Sequence, residues 1–275
     1  MERGLREGLR REALALAQAV EGCRPRRLLL AFLSLDEAAA VKAVLRGVAR
    51  GAALDRTLAA APPAPGLSEE TLRLAAASST LDGAVEALAA AGSPVAAAAR
   101  EALPRVAEEG LLPRELAADR AALARAGAAC RRAGEDGAVL ARHVADRADA
   151  RNAETLLALA GARPTIEPWV AGGRRWDGAA LGALAGAGAE AARAAVARAF
   201  GLAARDLATP WAADRALARA CTAALAREAR SRPLSLAVPL AYLAARRDEI
   251  RRLALALRGA ELGLPPDELL DLVEA

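Results

Sequence analysis

Aromatic residues, histidine and lysine are scarce in this chain of 275 residues. Aromatic side chains make up only 2% of it, and His143 and Lys42 are the single residues of their types. Strands favour β-branched and aromatic residues, whereas alanine, which occurs 81 times here, is the best helix former. The composition therefore predicts an all-α fold and argues against an extended β-sheet.

Cysteine is also rare, because Cys23, Cys130 and Cys221 are the only three and lie far apart. No CxxC or CxH spacing occurs, so neither a disulfide framework nor a zinc site is indicated, and a reducing compartment is expected. Charge-free apolar runs of about 18 residues are absent, and the charged N-terminus argues against a signal peptide. We therefore expect a cytoplasmic protein without a membrane span.

Neither sign of charge dominates, since 38 basic residues face 34 acidic ones and the formal net charge is +4. Hydrophobic residues account for 55% of the chain, which is enough to build a core. Most arginines alternate with aspartate or glutamate instead of clustering on one face. This pattern argues against nucleic-acid binding.

Proline and glycine divide the chain into about ten to twelve expected helices. The strongest break is at 61–66, where three prolines predict a linker. Ser68 is predicted to cap the helix that follows it. Further helix starts are predicted by four prolines in first-turn positions, namely Pro94, Pro113, Pro210 and Pro266. We divide the chain into three helical units, 1–66, 67–135 and 136–275.

Two segments of the third unit have distinct patterns. Residues 161–177 show no helical period, and Trp169 and Trp176 are expected to anchor this stretch as a structured loop. The last long helix carries apolar residues at spacings of three, four and seven: Leu236, Leu240, Leu243, Ile250 and Leu257. Gly259 is expected to end that helix.

A weak internal repeat relates residues 36–47 to residues 149–161. Each segment has an acidic start, an alanine-rich middle, a late apolar pair and a glycine near its end. The similarity suggests duplication of a helical unit, although a composition so rich in alanine also produces such similarity by chance.

Motifs for catalysis are not found. Any Ser–His–Asp or Cys–His arrangement would need His143, whose neighbours predict an ordinary position on an amphipathic helix. HExxH, GxSxG and P-loop motifs are absent, and no cofactor is expected. One alternative is an all-α metal-dependent enzyme, because Asp146 and Asp149 share a helix face, but Arg147 and Arg151 favour salt bridges there.

Two blocks of sequence carry a resemblance to a known family. The first runs from 149 to 157 and has an acidic residue, an asparagine and a threonine at the family's spacing: Asp149, Asn152 and Thr155. The second runs from 233 to 265 and includes Tyr242, Glu249 and Arg258, with Arg252 at the usual asparagine position. Together they resemble the C/d-subunit family of rotary V-type and A-type ATPases, whose members are central rotor adaptors.

The resemblance implies a non-catalytic rotor protein that couples the central stalk to the membrane ring of proton- or sodium-carrying subunits. It also implies a funnel of similar helical units with pseudo-symmetric repeats, shortened here on the N-terminal side. The expected location is peripheral, on the cytoplasmic face of the membrane, and the isolated chain is expected to be monomeric. Five residues match the family pattern and are expected to stabilise the fold or contact partners: Asp149, Asn152, Tyr242, Glu249 and Arg258. The other alternative is a generic helical-repeat scaffold for protein–protein interaction.

Overall fold

The computed structural model describes residues 2–20, 23–62, 64, 66–102, 110–131, 133–161 and 167–274, and all regular structure in these ranges is helical. The α-helices are α1 (Glu2–Ala19), α2 (Cys23–Ala49), α3 (Leu54–Ala60), α4 (Glu69–Ala76), α5 (Leu81–Ala90), α6 (Pro94–Glu101), α7 (Leu112–Cys130), α8 (Gly134–Leu159), α9 (Gly178–Gly186), α10 (Ala189–Phe200), α11 (Pro210–Ser231), α12 (Ala237–Glu261) and α13 (Pro266–Glu274). A 3-10 helix, Ala204–Leu207, precedes α11. The all-α prediction is confirmed. The described residues hold 13 α-helices, more than expected, because short ones such as α3 have no capping side chain to mark them in the sequence.

The helix starts follow the capping residues and prolines of the sequence. Ser68 accepts a hydrogen bond from the backbone N–H of Thr71 and caps α4, as predicted. Ser93 and Thr209 cap α6 and α11 in the same way, each directly before a proline. Pro113 and Pro266 also lie in first turns, so all four predicted proline starts are confirmed.

The end of α12 differs from the prediction. Gly259 does not stop the helix, which continues to Glu261 and is followed by Gly263 in a left-handed conformation at φ +74°. Gly259 is buried, and a Cβ atom there would lie 2.2 Å from Cδ2 of Leu269 on α13. This glycine therefore serves close packing between two helices rather than helix termination.

Three hydrophobic clusters form the core, and alanine and leucine dominate all of them. The predicted stripe of the last long helix is largely confirmed, since Leu240, Leu243 and Ile250 are buried. Small side chains let helices approach closely and pack densely. The helices range from 7 to 27 residues, which is unlike the uniform helix pairs of a regular solenoid.

The two longest helices, α2 and α8, connect these clusters. The first half of each contributes to one shared cluster, and their second halves enter two different clusters. Phe32 lies against His143, and further along both helices Lys42 and Arg151 share one carboxylate on α7. The helices therefore run in the same direction, with α7 between them.

The break at 61–66 is confirmed, because α3 ends before it and α4 begins at Glu69. Pro63 and Pro65 lie outside the described residues, but Ala64 and Leu67 are buried in the core. Ala64 and Leu67 are thus packed against the helices. The repeated segments fall on α2 and α8, and both the repeat symmetry and the three-unit division stay predictions.

None of the helices in the described ranges has the combination of length and low charge that crossing a bilayer requires.

Candidate partner-binding cavity

A cavity of about 1220 Å³ opens between α2, α3, α7, α8, α11 and α12, and α1 and α10 also contribute to its lining. Ten basic and six acidic side chains line it, together with alanines and leucines. The sequence did not reveal which residues line this cavity, because its walls come from segments more than two hundred residues apart. Two groups of ion pairs in its lining, around Asp119 and around Asp36, join neighbouring helices.

The first group centres on Asp119 of α7. Its carboxylate accepts hydrogen bonds from Nζ of Lys42 at 2.6 and 2.9 Å, and Nε of Arg151 lies 2.5 Å from its Oδ2 atom. The one lysine of the chain and an arginine of α8 therefore hold the same buried aspartate. These contacts tie α2, α7 and α8 together.

One turn away, a second set of contacts joins the same three helices. Arg46 of α2 donates two hydrogen bonds of 2.6 Å to Glu115 of α7 in a bidentate arrangement. Arg151 lies 3.9 Å from the Glu115 carboxylate and also pairs with Glu154 on its own helix. Each of these buried charges needs its partner of opposite charge, because an unpaired buried charge destabilises the folded state.

Burial shifts the pKa values of these groups. It lowers the pKa of the Lys42 ammonium below its ordinary value, while the Asp119 carboxylate opposes the shift. Burial also raises the pKa of Glu154, and Arg151 opposes that shift. For Arg151 itself burial disfavours the charge, but the carboxylates of Asp119 and Glu154 outweigh it and raise its pKa. In all three cases a partner of opposite charge within the network favours the charged form.

The sequence does contain a signal for this network. Lys42 and Arg46 are four residues apart on α2, and Glu115 and Asp119 are four residues apart on α7. Like charges at this spacing repel each other on an isolated helix. Such pairs therefore indicate partners of opposite charge on a neighbouring helix, although the sequence does not say which one.

The second group lies where α2 and α8 meet α12. Arg247 of α12 lies 2.5 Å from the Asp36 carboxylate, and its guanidinium stacks 4.4 Å from the ring centroid of Phe32. The ring of His143 lies 5.2 Å from the same phenyl ring. Burial lowers the pKa of His143 to about 3, and Arg147 and Arg247 add to that shift. His143 is therefore a neutral, buried side chain on α8, and its predicted position on a helix is confirmed.

The family-pattern residue Asp149 binds the Trp loop, which we define as residues 167–177. Its carboxylate accepts hydrogen bonds from the backbone N–H groups of Arg174 and Arg175, at 2.9 Å in the shortest case. The Arg175 guanidinium adds an ion pair at 3.0 Å. A Cβ atom on Gly173 would lie 2.2 Å from Oδ1 of Asp149, so the loop can approach this closely only with glycine there.

Asn152, one turn further along α8, binds the same loop. Its side-chain amide donates to the carbonyl of Val170 at 2.8 Å and accepts from the N–H of Val170 at 2.7 Å. Trp169 next to it is buried in the third core cluster, and Trp176 packs against Phe200 with ring centroids 6.1 Å apart. The loop is anchored as predicted over 167–177, while 162–166 lie outside the described residues.

The other three family-pattern residues lie elsewhere. The Tyr242 hydroxyl donates to Glu12 of α1 at 3.3 Å, and Glu249 pairs with Arg246, which also binds Glu12. These two residues thus belong to one exposed network between α1 and α12. Arg258 is the one member of the five that lines the cavity. The five family-pattern residues therefore lie at three places: Asp149 and Asn152 at the Trp loop, Tyr242 and Glu249 between α1 and α12, and Arg258 at the cavity.

The arrangement contradicts the metal-ligand hypothesis for Asp146 and Asp149. Asp146 accepts 2.9 Å hydrogen bonds from the guanidinium groups of Arg174 and Arg175. The Asp149 carboxylate accepts hydrogen bonds from the Trp loop, including one from the Arg175 guanidinium. Neither carboxylate lines the cavity. Arginines of the Trp loop neutralise both carboxylates. The sequence pattern had favoured Arg147 and Arg151 of α8 for this role.

Comparison with curated proteins gives no significant match. The family model described as ATP synthase (C/AC39) subunit matches residues 1–272, which is nearly the whole chain. The match includes both sequence blocks and every helix that lines the cavity. The chain therefore belongs to the ATP synthase (C/AC39) subunit family, which is the V-type and A-type ATPase family that those blocks resemble.

Proposed function

We propose that this chain is a non-catalytic rotor protein that couples the central stalk of a V/A-type ATPase to its membrane ring during proton or sodium transport. In this role it acts on the cytoplasmic side as a peripheral component, and the cavity is the socket for the stalk. Family membership supports association with an ATPase complex. The observation that carries the finer assignment is the cavity of about 1220 Å³.

The cavity walls suit a part that transmits torque. The ion pairs of Lys42, Asp119 and Arg151 join three helices directly at the wall. Dense packing of small side chains behind them gives low compressibility. A wall whose helices are joined by ion pairs and closely packed transmits torque with little deformation.

The experiment is to fill the cavity and measure capture of the stalk. Ala158 is exposed near the end of α8 and lines the cavity, so Ala158→Trp places a large ring in the socket without disturbing the core. The partner is the set of central-stalk proteins encoded in the same genome. We expect wild type to co-elute with them on size exclusion and Ala158→Trp to lose the complex.

The matched control is Ala141→Trp. Ala141 is on the same helix and equally exposed, but it does not line the cavity. Circular dichroism checks that both variants keep the fold. Equal capture by all three proteins would show that the stalk does not occupy the cavity.

A second measurement addresses the membrane ring. Vesicles containing the purified ring proteins are mixed with the chain and recovered by flotation, with ring-free vesicles as the control. The proposal predicts recovery only with the ring. Equal recovery with both would contradict a specific ring contact.

A further inference from the structure

We propose that the segment entering the cavity is a helix end with a net negative charge, bound by four arginines of the cavity lining. This inference rests on the proposed function and specifies the chemistry of the stalk partner. Two sets of charged side chains in the lining support it. The carboxylates are paired with basic side chains of the chain itself, whereas four arginines can still bind a partner's carboxylates.

All six carboxylates of the lining have a basic partner within the chain. Asp36 pairs with Arg247, and Glu115, Asp119 and Glu154 belong to the network around Arg151. The remaining two are also paired, Asp214 with Arg251 at 3.6 Å and Asp248 with Arg252. An incoming partner therefore meets no unoccupied carboxylate in the lining.

Four arginines of the lining differ from these groups: Arg50, Arg56, Arg147 and Arg193. Among the residues that the structure describes, none of the four has a carboxylate within salt-bridge distance. Within the part of the chain that the structure describes, the Arg193 guanidinium donates to the carbonyl of Ala189, at 3.3 Å. Three of them are exposed, and Arg147 is half-buried at mid-helix on α8.

The positions of these arginines indicate how a partner would enter. Arg50 follows the end of α2, and Arg56 lies on the adjacent helix α3. Arg147 lies deeper, near the Asp36–Arg247 pair, where its charge acts on Asp36. Guanidinium groups are therefore available both where α2 ends and within the cavity. Arginine is suited to this use because it binds carboxylates in a bidentate manner.

The volume fits one helix end. A helix 10–12 Å across that rises 1.5 Å per residue fills roughly 140 Å³ per residue. A cavity of about 1220 Å³ therefore holds roughly nine residues, or two to three turns. A segment of that length has enough side chains to carry several carboxylates into a lining that holds four such arginines.

Photo-crosslinking identifies the entering segment directly. A photoreactive amino acid replaces Thr155, which lines the cavity, and the stalk peptide that becomes attached is identified by mass spectrometry. In the control, the photoreactive amino acid replaces Ala141, which lies outside the cavity. We expect one stalk segment to be captured only from position 155, with more acidic than basic residues. Capture of a neutral or basic segment would overturn the inference.

Charge reversal measures the same interaction. The triple variant Arg50→Glu, Arg56→Glu and Arg193→Glu should bind the stalk at least about tenfold more weakly at 50 mM salt. The difference should shrink at 500 mM salt, because screening weakens exposed pairs. The control is the triple variant Arg198→Glu, Arg227→Glu and Arg230→Glu, whose arginines are exposed but outside the cavity.

The outcomes separate this inference from the proposed function. No stalk binding by the wild-type chain would contradict the proposed function itself. Binding that Ala158→Trp abolishes, but that neither salt nor the first triple variant changes, would keep the socket and overturn the acidic partner. Equal weakening by both triple variants would also overturn it, because overall charge would then explain the effect.

Discussion

Single buried polar residues decide how the Trp loop is held against α8. Asn152 satisfies both the N–H and the carbonyl of Val170, and Asp149 satisfies two further N–H groups. A buried backbone group that loses its partner costs the full free energy of its desolvation. We therefore expect Asn152 and Asp149 to affect the stability of the fold rather than partner binding.

Asn152→Ala should destabilise the folded chain. It leaves the N–H and carbonyl of Val170 without partners, so the free energy of unfolding should fall by about 2–4 kcal/mol. Urea denaturation followed by circular dichroism measures it. Ser231→Ala removes an exposed hydroxyl hydrogen bond and should change stability by less than about 0.5 kcal/mol. Equal effects of the two variants would contradict the loop-anchoring role.

Gly173→Ala tests the close approach between the loop and Asp149. The new Cβ would lie 2.2 Å from Oδ1 of Asp149, so crowding should destabilise the protein by about 1–3 kcal/mol. Gly182 lies exposed on α9 with no atom near its Cβ position. Gly182→Ala should stabilise by up to about 1 kcal/mol, because alanine is the better helix former. Thermal melts of both variants should therefore shift in opposite directions, and a shift in the same direction would count against the crowding.

His143 should make stability depend on pH. Its pKa is lowered from 6.5 to about 3 in the folded chain, so between these values the unfolded state binds more protons. Its contribution is complete above pH 6.5 and is lost as the pH falls towards 3. The slope attributable to this group is at most about 1.4 kcal/mol per pH unit.

His143→Leu removes that titration. Urea denaturation at pH 7, 6, 5 and 4.5 should show a shallower loss of stability in the variant than in wild type. The comparison uses the slopes, so a constant difference in stability between the proteins does not affect it. Parallel slopes would mean that His143 is accessible to protons in the folded state.

At the scale of helices, α2, α7 and α8 are joined by charges that each helix alone would disfavour. The pairs Lys42 with Arg46 and Glu115 with Asp119 repel within their own helices and attract across the interface. Their position at the cavity wall links the shape of the proposed socket to the stability of the fold. Removal of one partner should therefore be costly.

Asp119→Asn tests this link. The change leaves Lys42 and Arg151 facing each other near the wall without their shared carboxylate. The free energy of unfolding should fall by about 3–5 kcal/mol, as for other buried pairs that lose one partner. Asp55→Asn, at an exposed position on α3, should cost less than about 1 kcal/mol. A small effect of Asp119→Asn would mean that water and the neighbouring carboxylates Glu115 and Glu154 stabilise the two bases without it.

The elements themselves were largely predictable. Ser68 and the first-turn prolines marked helix starts because caps and proline act within one turn of the chain. Gly259 was misread because the same residue type serves helix ends and close packing, and only the position of Leu269 separates the two. Short helices without caps were also missed, since tertiary packing rather than local sequence stabilises them.

At the scale of the whole molecule, the cavity was the feature least accessible from sequence. The resemblance implied a funnel, but the lining residues come from α1 at one end of the chain to α12 near the other. Of the family-pattern residues only Arg258 reaches it, while the others hold the loop or join α1 to α12. Which charges face the cavity depends on how the helices associate, and local patterns do not encode that association directly.

Single-particle cryo-EM of the chain bound to its central-stalk proteins tests the proposed socket directly. Density for one stalk helix end should lie inside the cavity, between the Lys42–Asp119–Arg151 network and the Asp36–Arg247 pair. Stalk density on the outer surface, with the cavity empty, would contradict the socket.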